Sequence, residues 1–520
     1  MKFSQPYAAA RSPVCAANMV SSSQPLATQA GLDTLRNGGN AIDAAIAAAI
    51  TLTVVEPCMN GVGSDAFAII WDGQTLHGLN ASGKSPVAWQ PQRFAGHESM
   101  PQFGWDSVTV PGAVSAWATL SETFGKLPFE DLFEQAIRYA ADGFHVGPVS
   151  ALVWQQTEQT YAPYPDFVEH FHPPPQAGEL FKRPDLARTL ADVAQTQGES
   201  FYRGALAEQI AAASQAAGGA MCVDDLAAHQ PFWVEPVAQQ YDQVTLHEIP
   251  PNGQGLAAQI ALGILNHLEL HPLDSAQALH LQIEAMKIAI RAAFDHFSDP
   301  DHMQIGIEEL LDTQSLARAA QTITDQATTL PPHALPATND TVYLCSADDQ
   351  GNMVSLIQSN YMAFGSGIVI PGTGIAMQNR GAGFTLQSGH PNEVGPAKRP
   401  FHTIIPGFVS KDGQPDMAFG VMGGHMQAQG HVQMVTRIYS YQQNPQAASD
   451  APRWIVNPDF SVGLERGTPD AVVAELSRRG HRVSIDPNRN TFGGAQLIKR
   501  YQGGYIAGSD HRKEGLAAGF

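Results

Sequence analysis

The sequence has few cysteines, and none of them is spaced for metal binding or redox chemistry. Its four cysteines, Cys15, Cys58, Cys222 and Cys345, are far apart and form no CxxC pair, which argues against a zinc knuckle and a dithiol centre. We therefore predict four buried free thiols. Cys345 lies in an apolar run, where a thiol stays inert unless a base stands beside it, so a cysteine nucleophile is disfavoured.

Positive charge is also scarce. The chain carries 29 basic and 49 acidic residues, a formal net charge of −20, and such a field repels phosphate backbones and anionic membranes. We expect no nucleic-acid partner. No run of about 18 apolar residues is present, and the first residues lack the apolar segment of a secretory signal. The sequence thus predicts no membrane span and a cytoplasmic protein.

Several common signatures of enzyme sites are missing. There is no GxSxG elbow and no HExxH helix, the usual marks of serine and zinc hydrolases. Residues 61–66 match GxGxxA, but they lie between a predicted helix and a predicted strand, the reverse of a nucleotide site. His402, His425 and His431 lack the helical spacing of metal ligands. We expect no cofactor and no metal, with a metallohydrolase kept as a minor alternative.

The composition is that of a globular protein with mixed secondary structure. Of the 520 residues, 43% are hydrophobic and 15% are charged, enough apolar surface for a large core. Periodicity and stop signals predict helices over 27–36, 41–53, 206–217 and 276–291, and a strand over 66–70.

Residues 321–340 differ from the rest of the chain in amino-acid composition and periodicity. They are rich in Thr, Pro and Ala and have no sustained period, as expected of an exposed connector. The runs 341–346 and 353–359 that follow flank a polar turn and are typical of a β-hairpin. Thr341 would therefore open a strand directly after a segment that can be cut.

A break between Asp340 and Thr341 would change the chemistry of the threonine. It would place a free α-amine, with a pKa of about 7.7 to 8.0, beside the hydroxyl. Such an amine can act as general base for a hydroxyl nucleophile. A threonine at the start of a strand can also be purely structural, and residue types and spacing alone leave both interpretations open.

Several motifs in order resemble the γ-glutamyltransferase family of N-terminal nucleophile hydrolases. They lie at 56–63 (EPCMNGVG), 340–345 (DTVYLC), 364–369 (FGSGIV), 398–400 (KRP) and 423–424 (GG). The resemblance implies an α+β fold, a four-layer αββα sandwich. It implies that the protein is made as one proenzyme, which cuts itself between Asp340 and Thr341 into a large chain, 1–340, and a small chain, 341–520, that together form one intertwined domain. It also implies that Thr341 is the nucleophile, that Ser359 supports it, and that Gly423 and Gly424 form the oxyanion hole.

The substrate-binding positions depart from the family pattern. By motif order, Tyr361 stands for an Asn, and His402 with Thr403 for a Ser pair, while the Asp that holds an α-ammonium is Gly383 and Arg380 enters the same segment. An ammonium roughly 4 Å from a guanidinium would be repelled by about 4 kcal/mol at an effective dielectric of about 20. An arginine favours a carboxylate instead, so we predict substrate binding by Arg380, Tyr361, His402 and Thr403.

The resulting expectation is an amidohydrolase for a small substrate that bears a carboxylate, with oxamate, converted to oxalate and ammonia, as the best candidate. Glutathione hydrolysis, γ-glutamyl transfer and β-lactam side-chain cleavage remain open within the family. A non-catalytic binding protein on the same scaffold is the alternative of another class. An internal ion pair for Arg380, the choice between water and an amine as acceptor, and homo-oligomerisation also stay open.

Overall fold

A computed structural model describes residues 11–329 and 340–520 of the chain. Within these residues, none of the helices combines the length and the apolar character needed to cross a membrane.

The described residues form 21 strands. In chain order they are β1 (Val14–Ala16), β2 (Met19–Ser22), β3 (Asp65–Trp71), β4 (Leu76–Asn80), β5 (Phe144–His145), β6 (Leu180–Phe181), β7 (Phe232–Val234), β8 (Val237–Tyr241), β9 (Val244–Glu248), β10 (Asp340–Ala347), β11 (Met353–Tyr361), β12 (Val369–Ile370), β13 (Ile375–Ala376), β14 (Gly407–Lys411), β15 (Gln414–Met422), β16 (Trp454–Val456), β17 (Val462–Glu465), β18 (Val483–Asp486), β19 (Gly494–Tyr501), β20 (Gly504–Ser509) and β21 (Leu516–Gly519).

The same residues form 17 α-helices. They are α1 (Pro25–Arg36), α2 (Ala41–Val55), α3 (Ala113–Phe124), α4 (Glu134–Asp142), α5 (Pro148–Tyr161), α6 (Pro165–Phe171), α7 (Pro184–Gln195), α8 (Glu199–Arg203), α9 (Ala205–Ala216), α10 (Val223–Ala227), α11 (Gly255–Leu265), α12 (Ala276–His296), α13 (Ile307–Leu310), α14 (Thr313–Thr322), α15 (Met426–Val435), α16 (Pro445–Asp450) and α17 (Asp470–Arg478).

Two antiparallel sheets of seven strands each form the centre of the fold. One has the strand order β21-β2-β10-β11-β3-β4-β7, and the other has the order β1-β20-β19-β15-β14-β9-β8. The predicted hairpin is confirmed, since β10 pairs with β11 in the middle of the first sheet. Each of these two sheets combines strands from both sides of residue 340, so neither half of the chain builds either of them alone.

Alternation along the central strands produces four layers. In β10, Val342 and Leu344 pack into a core shared with α1, α2 and α3, whereas Tyr343 and Cys345 point into a second core between the two sheets. A third core lies between the other sheet and α11, α12 and α15. Because strand side chains alternate between faces, a strand buried on both faces needs apolar residues at nearly every position, as β10 has.

Local signals place the first two helices. Pro25 occupies the first turn of α1, where its missing N–H costs nothing. The side chain of Asn40 accepts from the backbone of Asp43, while the Asp43 carboxylate accepts from Asn40, a reciprocal cap at the start of α2. Every residue of α2 is buried. The predicted helices over 27–36 and 41–53 and the strand over 66–70 are confirmed, as are the two later helices, within a residue of their predicted limits or extended.

Two sequence predictions need correction or lie partly outside the described chain. All four cysteines are free, but only Cys58 and Cys345 are buried, while Cys15 is exposed on the edge strand β1. An edge strand of three residues lacks a covering layer, which composition alone does not reveal. Of the connector predicted over 321–340, residues 321 and 322 close α14, and residues 330–339 lie outside the described residues.

Candidate active site

Thr341 lies at an irregularity in the ladder between β10 and β11. Asp340 pairs with Tyr361 and Val342 pairs with Gln358, so the register shifts at the threonine. The shift leaves one more residue on β11 than on β10, and such irregularities re-aim side chains near active sites. Thr341 is 1% exposed, so its hydroxyl contacts protein groups on several sides.

Two side chains hold the Thr341 hydroxyl. Its Oγ1 donates to Oγ of Ser359 at 3.2 Å and accepts from Nε2 of Gln427 at 3.3 Å. Ser359 is itself fixed, because its Oγ accepts from the backbone N–H of Tyr361 at 2.8 Å. The sequence predictions for Thr341 and Ser359 therefore name residues that the fold brings into direct contact.

Gly423 and Gly424 form the turn between β15 and α15. Their φ angles are +118° and +56°, values that glycine adopts without a steric penalty. The backbone N–H of Gln427 donates to the carbonyl of Gly424 at 3.2 Å. The glycine turn therefore lies one helical turn before Gln427, the residue that contacts Thr341. Gln254 adds a bridge, since its Nε2 donates both to the Gly424 carbonyl at 2.8 Å and to the Thr403 carbonyl at 2.5 Å.

Arg380 is buried with an incomplete set of partners. It is 1% exposed, its Nη1 donates to Oγ1 of Thr403 at 2.8 Å, and its Cζ lies 4.7 Å from the ring centroid of Tyr361. Among the described residues, its Nε and Nη2 have no hydrogen-bond partner, and Asp65, the carboxylate whose charge acts on it, contacts His402 instead. Burial lowers the pKa of Arg380 to about 10, with the charge of Asp65 opposing that shift.

Tyr361 connects the hydroxyl pair to the arginine through a strained backbone. Its φ is +82°, a conformation that costs a bulky residue of the order of 1 to 3 kcal/mol and that recurs at functional sites. The same residue donates its backbone N–H to Ser359 and places its ring under Arg380. Tyr361 is 3% exposed, and it also lines the adjoining cavity.

His402 lies behind this cluster rather than at its open side. It is fully buried, and its Nε2 is 3.0 Å from Oδ2 of Asp65, the residue that pairs with Ser359 across β3 and β11. Burial raises the pKa of Asp65 to about 7, although the charge of Arg380 acts against the rise. Burial and the same arginine hold the pKa of His402 well below its usual range. The histidine is therefore neutral at neutral pH.

A cavity of about 680 Å³ opens beside Tyr361. Its lining is mixed, with aromatic side chains such as Phe294 and Phe401 beside polar ones such as Gln102 and Asn392. Its single carboxylate among the described residues, Glu98, is exposed. Gly383 also lines the cavity, and a Cβ at that position would lie 2.5 Å from the Phe401 carbonyl. A side chain at position 383 would therefore push against the backbone, which disfavours an aspartate there.

Metal-binding geometry occurs elsewhere in the molecule. Within the described residues, one group that could hold an ion comprises His280, Glu284 and His481. The ammonium of Lys287 already lies among them, 2.8 Å from Oε1 of Glu284 and 3.4 Å from Nδ1 of His481. His402 and His431 each face a separate carboxylate, Asp65 and Glu248, which is the reason these histidines do not form a common centre.

Sequence reasoning did not find Gln427, Asp65 or Gln254. Each is a common polar residue whose sequence neighbours are mostly glycine or apolar residues. Each contacts a partner from a distant part of the chain. One local signal could have indicated Gln427, because it lies one helical turn after the Gly423-Gly424 pair. The first turn of a helix and the turn before it can contact the same group.

The fold and the site together define a class of protein. Two facing sheets between helical layers, with a buried threonine hydroxyl at the start of a central strand, are the architecture of an amidohydrolase with an N-terminal nucleophile. Comparison with known proteins gives the family. The profile described as Gamma-glutamyltranspeptidase matches residues 27–520, and the chain belongs to this family.

Individual relatives match nearly the whole length of the chain. The "Glutathione hydrolase-like YwrD proenzyme" of Bacillus subtilis is 34% identical over 96% of this chain and 98% of its own. The "Oxamate amidohydrolase proenzyme" of Klebsiella pneumoniae is 35% identical over 95% of this chain and 97% of its own. The crystal structure of cephalosporin acylase from Bacillus halodurans superposes with a TM-score of 0.96 at 44% identity, covering 100% of this chain and 99% of that one.

Proposed function

We propose that the chain cuts itself between Asp340 and Thr341, and that the freed threonine hydrolyses amides whose acyl part carries a carboxylate and no α-ammonium. The observation that carries the substrate proposal is Arg380, a buried guanidinium with two donors that no described residue accepts. Tyr361 links it to the Thr341 and Ser359 pair.

In the proposed mechanism the new α-amine of Thr341 takes the hydroxyl proton, and Oγ1 attacks the amide carbon. Ser359 keeps Oγ1 in place through the 3.2 Å hydrogen bond. The backbone N–H groups of the Gly423-Gly424 turn face the developing oxyanion. Loss of one such donor typically costs about 2.7 to 4 kcal/mol of transition-state stabilisation.

Arg380 is assigned to the substrate carboxylate for two physical reasons. Buried donors without partners are costly, and a carboxylate that fills them recovers charge-assisted hydrogen bonds. Nε and Nη2 of one guanidinium lie in one plane and can receive both oxygens of a carboxylate. Thr403 supports this role by holding Nη1 from the other side. A substrate with an α-ammonium would instead meet a cation and no buried acid at position 383.

Oxamate fits the proposal because its carboxylate is joined directly to a primary amide. The relative from Klebsiella pneumoniae supports this choice by its name. A second candidate, a longer acyl amide of the cephalosporin type, is favoured by the size of the cavity. A volume of about 680 Å³ lined by both aromatic and polar side chains far exceeds a six-atom ligand and suits a drug-sized one.

The test is a substrate panel on the processed protein, in pairs that differ only in the carboxylate. Oxamate is compared with its neutral isostere oxamide, and a carboxylate-bearing acyl amide of cephalosporin type with its methyl ester. We expect ammonia or amine release from the charged member of at least one pair, and at least about tenfold less from the neutral one. Release of glutamate from glutathione far faster than release from either charged substrate would overturn the proposal.

A further inference from the structure

Gln427 is a fully buried amide on the first turn of α15 that meets the nucleophile. Its Oε1 accepts from the backbone N–H of Ile405 at 3.0 Å. Only the oxygen of an amide can accept from an N–H group, so this contact fixes the orientation of the side chain. Nε2 must then face Thr341, and it lies 3.3 Å from Oγ1.

The two groups that hold Oγ1 come from different layers of the fold. Ser359 belongs to β11 in one sheet, and Gln427 to the helix that covers the other. The Thr341 hydroxyl donates toward Ser359 and accepts from Gln427, which fixes both its proton and one lone pair. Gln427 follows the Gly423-Gly424 turn by one helical turn, so one rigid segment carries this amide and the glycines.

We propose that Gln427 is a further catalytic residue, whose amide N–H remains on Oγ1 of Thr341 during acyl transfer and stabilises the charge that Oγ1 acquires. The inference rests on the proposed function in one respect, the assignment of Thr341 as nucleophile. It holds for any amide substrate and also for self-cleavage. There the same Oγ1 attacks the carbonyl carbon of Asp340, the peptide C–N bond to Thr341 breaks as its nitrogen gains the hydroxyl proton, and water then cleaves the ester and returns a proton to Oγ1.

The balance of bonds shows where this hydrogen bond acts. In the cut enzyme the Oγ1–C bond forms while the hydroxyl proton passes to the α-amine. The C–N bond of the substrate then breaks, and the same proton leaves with the amine or ammonia. Water attacks the ester, the C–Oγ1 bond breaks, and a proton from that water returns to Oγ1. Oγ1 carries partial negative charge as it attacks and as it leaves, and a neutral amide can donate to it without competing as a base.

A purely structural role for Gln427 would make it equivalent to Gln433. That residue lies six positions later on the same helix, is 2% exposed, and also makes two-sided amide bonds. Its Nε2 donates to the Trp454 carbonyl at 2.9 Å, and its Oε1 accepts from the Trp454 N–H at 3.2 Å. Gln433→Met therefore removes a similar buried amide without removing a contact to Thr341.

The experiment compares Gln427→Met and Gln433→Met in full-length protein. Self-cleavage is followed on denaturing gels, kcat and KM are measured per cut molecule, and melting temperatures are recorded. We expect Gln427→Met to slow self-cleavage and lower kcat by about 10- to 100-fold, with KM changed less than about twofold. Gln433→Met should leave both rates within about twofold. Equal losses in the two variants, or a kcat of Gln427→Met within twofold of the original, would overturn the inference.

A second variant covers the case in which Gln427→Met does not fold. In Gln427→Glu, a protonated carboxyl can donate to Oγ1 and accept from Ile405, whereas the carboxylate can only accept. The rate of self-cleavage relative to the original chain should therefore rise as pH falls from 8 to 5, and a constant ratio would contradict the inference.

Thr341→Ala separates the two proposals. If that chain still turns over substrate, the proposed function fails. If Thr341→Ala is inactive while Gln427→Met is fully active, only the role of Gln427 fails.

Discussion

The guanidinium of Arg380 lies over the ring of Tyr361, with Cζ 4.7 Å from the ring centroid. Tyr361 reaches this place through a backbone φ of +82° and gives its N–H to Ser359. The proposed nucleophile and the proposed carboxylate site are therefore joined by one strained residue, so the distance between them does not depend on a flexible loop.

Arg380→Lys is expected to weaken substrate binding without affecting self-cleavage. Lysine keeps the charge but loses the planar pair of donors. Hydrogen bonds to charged groups contribute about 1.5 to 3 kcal/mol, so KM for a carboxylate substrate should rise about 10- to 100-fold. Steady-state kinetics and gels measure the two effects. Arg183→Lys is the matched control, since Arg183 is also a buried arginine over an aromatic ring, Phe171, outside the cavity. An unchanged KM in Arg380→Lys would exclude the carboxylate role.

Thr341→Ala should abolish both self-cleavage and turnover, because it removes the only oxygen that the proposal uses as nucleophile. The purified chain should run as a single 55.6 kDa band, while the original protein gives two fragments, the smaller beginning Thr-Val-Tyr-Leu. N-terminal sequencing and mass spectrometry check the position of the cut. Ser359→Ala keeps the nucleophile but removes its 3.2 Å hydrogen bond, and should slow cleavage by about tenfold. A mature chain that starts at another residue would be inconsistent with the proposal.

The hairpin at Thr341 could be predicted because the two apolar runs, 341–346 and 353–359, and the polar turn between them are adjacent in the chain. The structure confirms that β10 pairs with β11. The surroundings of Thr341 were harder to predict. Gln427 and Asp65 reach the site from strands and helices far along the chain, and nothing in their own neighbourhoods marks them. Long-range packing, which a single sequence does not show, decides these contacts.

Gly383→Ala is expected to destabilise the fold, because a Cβ at this position would lie 2.5 Å from the Phe401 carbonyl. Overpacking of this kind typically costs about 1 to 3 kcal/mol. Urea unfolding, monitored by tryptophan fluorescence, gives the free energy of unfolding. Gly395→Ala is the control in the same segment, since its nearest atom would be 4.0 Å away, and it should change stability by less than about 0.5 kcal/mol. Equal stabilities for the two variants would show that position 383 can accept a side chain.

The KM for a carboxylate substrate should rise as pH increases through about 7, because burial raises the pKa of Asp65 to that value. Below pH 7 Asp65 is protonated and neutral, so Arg380 attracts the substrate without opposition. Above pH 7 the Asp65 carboxylate repels a substrate that is already ionised. A charge roughly 10 Å away at an effective dielectric of about 30 contributes about 1 kcal/mol, or about fivefold in KM.

The measurement determines KM and kcat separately from pH 6 to 8.5, because kcat also depends on the protonation of the α-amine. Asp65→Asn should flatten the profile, whereas Asp299→Asn, which removes a buried carboxylate beside Arg399, should keep it. A flat profile in the original protein would mean that Asp65 does not titrate next to the bound carboxylate.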